Sequence, residues 1–201
     1  MAGLPCRHGD LEGSAAARYA SCMRTAAACL LILAGCASTS PPPRAGGPIS
    51  AELLPLAASS AGFVDVRSGA ARTLRVEPDG SGARLVLEVP DAAPREIRVA
   101  RSATGWVFGS GVAPGTEILR LAANPGDEWE SNGRRVSFDG WERVSAADAK
   151  LAWDAARISA RRGPPELQHV ETWWFVPATG LVRLRSDHGG MFADELVRTS
   201  R

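Results

Sequence analysis

Between Phe63 and Leu184 the chain returns repeatedly to one pattern: a short run with every second side chain apolar, closed off by a turn former. Phe63-Val64-Asp65-Val66-Arg67, Thr73-Leu74-Arg75-Val76-Glu77, Arg84-Leu85-Val86-Leu87-Glu88-Val89 and Glu96-Ile97-Arg98-Val99 all follow it. Trp106-Val107-Phe108, Glu117-Ile118-Leu119-Arg120-Leu121 and Arg135-Val136-Ser137-Phe138 continue the series. A period of two is that of a strand with one face buried. Between the runs stand Pro78-Asp79-Gly80, Pro90 to Pro94, Pro114-Gly115, Pro125-Gly126-Asp127 and Asn132-Gly133. Gly and Asn tolerate positive φ and Pro presets φ, so these are turns with a mechanism. The pattern predicts a mainly β fold: an antiparallel sheet, a sandwich or a partial barrel, with at most one or two short helices.

One stretch fits both periods. Ser145 to Arg161 is rich in Ala, opens on a weak Ser145-x-x-Asp148 capping pattern, and spaces Leu151, Ala155 and Ile158 as a helix would. It also alternates through Leu151, Trp153 and Ala155, so residues 146–160 stay open between helix and strand. The densest signal follows it, at Glu171 to Leu184. Alternation there puts Trp173 and Phe175 on one face of a strand and Trp174 and Val176 on the other, so both faces need cover. Pro177 to Gly180 then reads as the tight turn of a hairpin.

Ahead of the strands the chain carries an export pattern. Arg24 precedes the apolar run Ala26 to Leu33, which ends in Leu33-Ala34-Gly35-Cys36. A positive start, a short apolar core and small residues at the cleavage point are the parts of a secretory signal. The core is too short to span a membrane, which takes about 20 apolar residues. Leu33 to Cys36 resembles the lipobox of bacterial lipoprotein precursors, whose cysteine is acylated and becomes the mature N-terminus. The resemblance implies a palmitoylated Cys36 holding the protein to the cell envelope. Ala37, in place of the Asp associated with inner-membrane retention, implies the outer membrane facing the periplasm. Residues 1–22, with Asp10 and Glu12, suit no signal peptide. Met23 is the expected start and 1–22 a mis-called extension, which leaves 23–35 as the signal.

Processing at Cys36 changes what chemistry is open to the chain. Of Cys6, Cys22, Cys29 and Cys36, only the lipidated one remains, so disulfides and thiolate metal sites fall away. The 166 residues left are enough for one unstapled core. The formal net charge of +1 falls to zero with the loss of Arg7, Arg18, Arg24, Asp10 and Glu12, which argues against a nucleic-acid partner. Residues 36–48, dominated by Pro, Ser, Thr and Gly, read as a disordered tether. Residues 49–201 are then a single β-rich domain.

The domain also resembles a widespread group of uncharacterised bacterial secreted proteins and lipoproteins. Their domains read "fPL…G…W", "pGdtWe", a "PAGtF" turn and a closing "WyapGvGLV". Pro55-Leu56 matches the first element loosely, while Gly126-Asp127-Glu128-Trp129-Glu130 and Glu171 to Val182 match the second and last well. Ala149 to Trp153 stands where the third would be, without its Pro or Gly. The resemblance implies an all-β domain and a strand at Trp153 to Ile158. It brings no catalytic residues.

Several clusters invite a chemical reading. Asp127, Glu128 and Glu130 crowd one turn, but they lack the spaced oxygen ligands of a calcium loop. Ser186-Asp187-His188 holds triad residue types as sequence neighbours, whereas triads are assembled from distant segments. His169 and His188 have no HxH or HxxxH partner, so a two-His site with an Asp or Glu is conceivable but not expected. Gly80-Ser81-Gly82 and Gly109-Ser110-Gly111 lack a phosphate-loop context. We therefore expect no catalytic site, no metal and no cofactor.

The six tryptophans, all between Trp106 and Trp174, read chiefly as core. The alternative is a hydrophobic binding surface formed by Trp129, Trp153, Trp173, Trp174 and Phe175. The expected function is that of an anchored envelope lipoprotein with a β-rich binding or structural domain, its partners the membrane and a hydrophobic ligand or envelope protein. The alternatives are a carrier or chaperone of lipid or other hydrophobic cargo and, less favoured, an envelope hydrolase.

Overall fold

The structure, a computed structural model, describes residues 46–109, 115–188 and 192–200. Cys36, the signal and the tether as far as residue 45 lie outside the described residues, as do Ser110 and Gly111. Among the described residues twelve strands make up one antiparallel sheet: β1 (Ser59–Asp65), β2 (Ala71–Asp79), β3 (Gly82–Glu88), β4 (Arg95–Arg101), β5 (Gly105–Gly109), β6 (Thr116–Arg120), β7 (Glu128–Ser131), β8 (Arg134–Ser145), β9 (Ala152–Arg162), β10 (His169–Val176), β11 (Gly180–His188) and β12 (Phe192–Arg198). The helices among the described residues are two single 3-10 turns, Ala51–Leu53 and Pro165–Leu167. The mainly β expectation holds, and the partial barrel is the form it takes.

The spatial order is β6-β5-β4-β3-β2-β1-β12-β11-β10-β9-β8-β7. Two six-stranded meanders are therefore joined at the centre of the sheet by β1 and β12, with Val64 opposite Val197. The edges, β6 and β7, meet to close the barrel without a ladder. At this seam the Glu117 N–H donates to the Ser131 hydroxyl at 2.8 Å, and the Trp129 indole donates to the Glu117 carbonyl at 2.7 Å. Side chains thus satisfy backbone groups that would otherwise form an open edge. The Glu117 carboxylate is buried at 6 % exposure and accepts from Ser102, Thr104 and Arg120. Burial pushes its pKa up, but these hydrogen bonds outweigh it and hold the carboxyl below its ordinary value.

Residues 152–162 settle as strand β9, and the reason lies in its neighbours. Ala156 stands opposite both Trp141 and Phe175, and Ile158 stands opposite Trp173. Ala155, Ala156 and Ala160 are fully buried. The alanines that resemble a helix signal are the small residues that leave room for aromatic rings on β8 and β10. Between Phe138 and Gly140 the β8–β9 register slips, and Gly140 carries the irregularity at φ +122°, a conformation that suits glycine.

Both faces of β10 are covered, by different means. Trp173 and Phe175 point into the barrel. Trp174 and Val176 join Val144, Ala155 and Val182 in a small outer cluster. The Trp174 ring there lies under two guanidinium groups, 4.7 Å from Arg183 and 5.8 Å from Arg157, and its indole donates to Glu142. Cations on a ring face and long alkyl stems take the place of a covering layer.

One end of the barrel is plugged by the segment that enters it. Ile49 exchanges backbone bonds with Ala122 and Ala123, and the Ala178 N–H donates to the Glu52 carbonyl. Ile49, Leu53 and Leu54 are buried against the core. Just upstream the Trp141 indole donates to the Gly47 carbonyl. The β1–β2, β3–β4, β9–β10 and β11–β12 connections lie at the opposite end, where the barrel opens.

Candidate functional site

The interior is not filled evenly. On the β5–β10 side Phe108 packs 5.3 Å from Trp173 and 5.9 Å from Phe175, and the latter two rings stack in parallel. Trp106, Trp129, Phe138 and Ile158 complete that half. On the other side, bounded by β1–β4 and β10–β12, is a cavity of about 630 Å³. Its walls are Leu74, Leu85, Leu87, Ile97, Leu184 and Leu196, with Phe63 and Trp173 closing it off from the packed half. These side chains occupy alternate positions of their strands, so the period-two pattern that specifies the sheet also makes the cavity apolar.

Polar groups gather at the open end. Asp65 and Arg72 pair at 3.6 Å. The Asp65 carboxylate also accepts the backbone N–H groups of Arg67 and Ser68 in the β1–β2 turn. The Ser68 backbone bond is the largest influence on this carboxyl and holds its pKa below the ordinary value, against a smaller opposing effect of burial. Arg95, Glu96 and Asp194 continue the rim. An apolar chamber with a polar mouth accommodates a molecule that has both characters.

The β10–β11 side of the mouth holds two histidines in contact. His169 and His188 are directly opposed across the ladder, with their Nδ1 atoms 2.8 Å apart. His169 Nε2 meets Glu171 at 3.3 Å and His188 Nε2 meets Ser186 at 3.4 Å. Arg134 in turn donates to Glu171. A carboxylate only accepts, so His169 donates to it through Nε2–H; with both rings neutral, its Nδ1 then receives the His188 Nδ1–H and His188 Nε2 accepts from the Ser186 hydroxyl.

The residues singled out from sequence are distributed as follows. Trp173 lines the cavity, and Phe175 and Trp129 lie in the packed half of the interior. Trp174 and Trp153 belong to the outer cluster. Ser186 and His188 share the inward face, whereas Asp187 pairs with Arg185 at 2.9 Å. Asp127 bonds the Asn124 N–H in the β6–β7 connection. Glu128 and Glu130 line a separate charged recess with Arg135, Arg161 and Arg162. The cavity walls are what the sequence reading missed, and His169 and His188, conceivable there as a pair but not expected to be one, are in contact. The leucines were legible only as strand positions, and two histidines 19 residues apart become neighbours only once the hairpin register is known.

No protein-family model and no curated protein matches the chain. Among solved structures it is similar to a putative lipoprotein from Parabacteroides distasonis ATCC 8503, with 14% identity, 75% of this chain and 96% of that chain covered, and a TM-score of 0.39. A likeness of that degree leaves the ligand and activity of the two chains to be argued separately.

Proposed function

We propose that the protein is an envelope lipoprotein, anchored through Cys36 in the outer membrane, whose barrel binds a small amphiphile by its apolar part. The half-empty apolar interior with a polar mouth supports the binding of an amphiphile, and the resemblance of Leu33 to Cys36 to a lipobox supports the anchor. A cavity of about 630 Å³ lies within the range of roughly 300–1,000 Å³ occupied by single small ligands. It suits one medium-length acyl chain better than a whole diacyl lipid. The role is binding or carriage rather than turnover.

Trp173 provides the measurement. A brominated medium-chain fatty acid should quench indole fluorescence saturably, and Leu85→Phe, which narrows the chamber, should weaken that binding at least tenfold. Quenching of equal strength in Leu85→Phe and Ile97→Phe would place the ligand elsewhere and end the proposal. The anchor is tested separately. Cys36→Ser should abolish palmitate labelling and release the protein from the membrane fraction, and unchanged labelling and fractionation would refute it.

A further inference from the structure

His169 and His188 form a pair that neither the cavity nor the anchor requires. Each ring has its Nε2 engaged, with Glu171 and Ser186 respectively, and each turns Nδ1 toward the other. The ring centres are 4.3 Å apart with planes inclined by 54°. That is closer than a head-on approach along the Nδ1 lone pairs would hold them, so the rings lean over one another. We propose that this pair binds a divalent transition metal, copper(II) or nickel(II) in preference to zinc, through the two Nδ1 atoms.

The separation carries the choice of metal. Two metal–nitrogen bonds of about 2.0 Å at a right angle place their nitrogens about 2.8–2.9 Å apart, whereas the tetrahedral angle of zinc requires about 3.3 Å. The 2.8 Å at which a hydrogen bond holds the metal-free pair is already the separation the tetragonal arrangement needs, so that ion would replace the shared proton without moving the rings apart. Imidazole nitrogens suit these borderline ions, and copper(II) stands highest among them in intrinsic affinity.

Partners behind the rings favour the bound form. Glu171, itself held by Arg134, takes the His169 Nε2–H and so leaves a lone pair on Nδ1. A carboxylate behind a ligating histidine fixes its tautomer and raises its basicity. His188 binds by moving its proton from Nδ1 to Nε2, where the Ser186 hydroxyl turns to accept it, so the pair as a whole neither gains nor loses a proton. Among the described residues no group of three or more His, Cys, Asp and Glu side chains is arranged to hold a metal. The remaining positions therefore fall to water or another small donor. Arg162 stands opposite His169 in the β9–β10 register and Asp194 opposite Ser186 in β11–β12, one opposing a cation and the other attracting it.

The test is titration of the full chain, its thiols alkylated, with copper(II). Affinity is read by competition with a chromogenic chelator, and the ligand set by nitrogen hyperfine structure in the electron paramagnetic resonance spectrum. One equivalent should bind with the signature of two imidazoles. Affinity should fall at least tenfold in His169→Ala and in His188→Ala, and about tenfold in Glu171→Gln, while Ser159→Ala on the outer face changes nothing. His169→Gln and His188→Gln replace the alanine variants if circular dichroism shows those unfolded. Copper held as tightly by the double variant, or a spectrum without two nitrogens, would overturn the assignment.

Discussion

The two sides of the barrel interior are built from the same strand pattern and reach opposite ends. On the β5–β10 side the inward positions are Trp106, Phe108, Trp129, Phe138, Trp173 and Phe175, and the rings fill the space. On the β1–β4 side the inward residues walling the space are Leu74, Leu85, Leu87 and Ile97, with Phe63 at its border, and the aliphatic chains are too short to meet across the barrel, so a chamber remains. Alternation decides which face is buried, but side-chain volume decides whether that face encloses a core or a cavity. Trp173 belongs to both sides, packing on Phe108 and walling the chamber.

Mutations should expose this asymmetry. The largest effect is expected for Phe175→Ala, which removes a fully buried ring from the packed side and should cost about 3–5 kcal/mol. Leu87→Ala, on a wall with empty space already beside it, should cost only about 1 kcal/mol. Equal losses in urea denaturation would erase the distinction between the sides.

An intermediate loss is expected at the seam. Glu117→Ala strips the acceptor from Ser102, Thr104 and Arg120 and should cost about 1–3 kcal/mol. Because hydrogen bonds hold the folded carboxyl below its ordinary value of 4.5, its stabilising contribution is complete above that value. It is lost as the pH falls through the lower, folded one. Wild type and Glu117→Gln should therefore differ in their stability–pH curves below about pH 4.5, and parallel curves there would deny the seam its charge.

The smallest effect belongs to the hollow side's rim. Asp65→Ala removes the acceptor of the β1–β2 turn and should cost at most about 1 kcal/mol, read as a small shift in thermal midpoint. A loss as large as that at Phe175 would mean that the rim, not the packed half, holds the barrel together.

The strands, their turns and the hairpin at Glu171 to Leu184 were legible because each depends on local alternation and local turn chemistry. Residues 146–160 were not legible from their own pattern, since alanine serves a helix by propensity and β9 by its small size; the strand at Trp153 to Ile158 was implied by the resemblance alone, and the rings opposite it are the physical reason. The chamber was illegible for a related reason. Leu74, Leu85 and Leu87 would look the same in a filled core, and the missing volume belongs to residues on other strands. The tryptophans drew attention to the aromatic half, while the space lay in the aliphatic one.

The pairing of β1 with β12 has a consequence for how the chain reaches this state. These strands are the first and last of the barrel, yet they join its two halves. Closing a loop of that length costs entropy that grows only slowly with length, but contacts so distant in sequence form late and slow the search. Until β12 docks, each meander has a bare edge at β1 or β11, open to pairing with other chains. A chain shortened by its last ten residues would lose little apolar surface and still be left as two half-sheets, prone to aggregate.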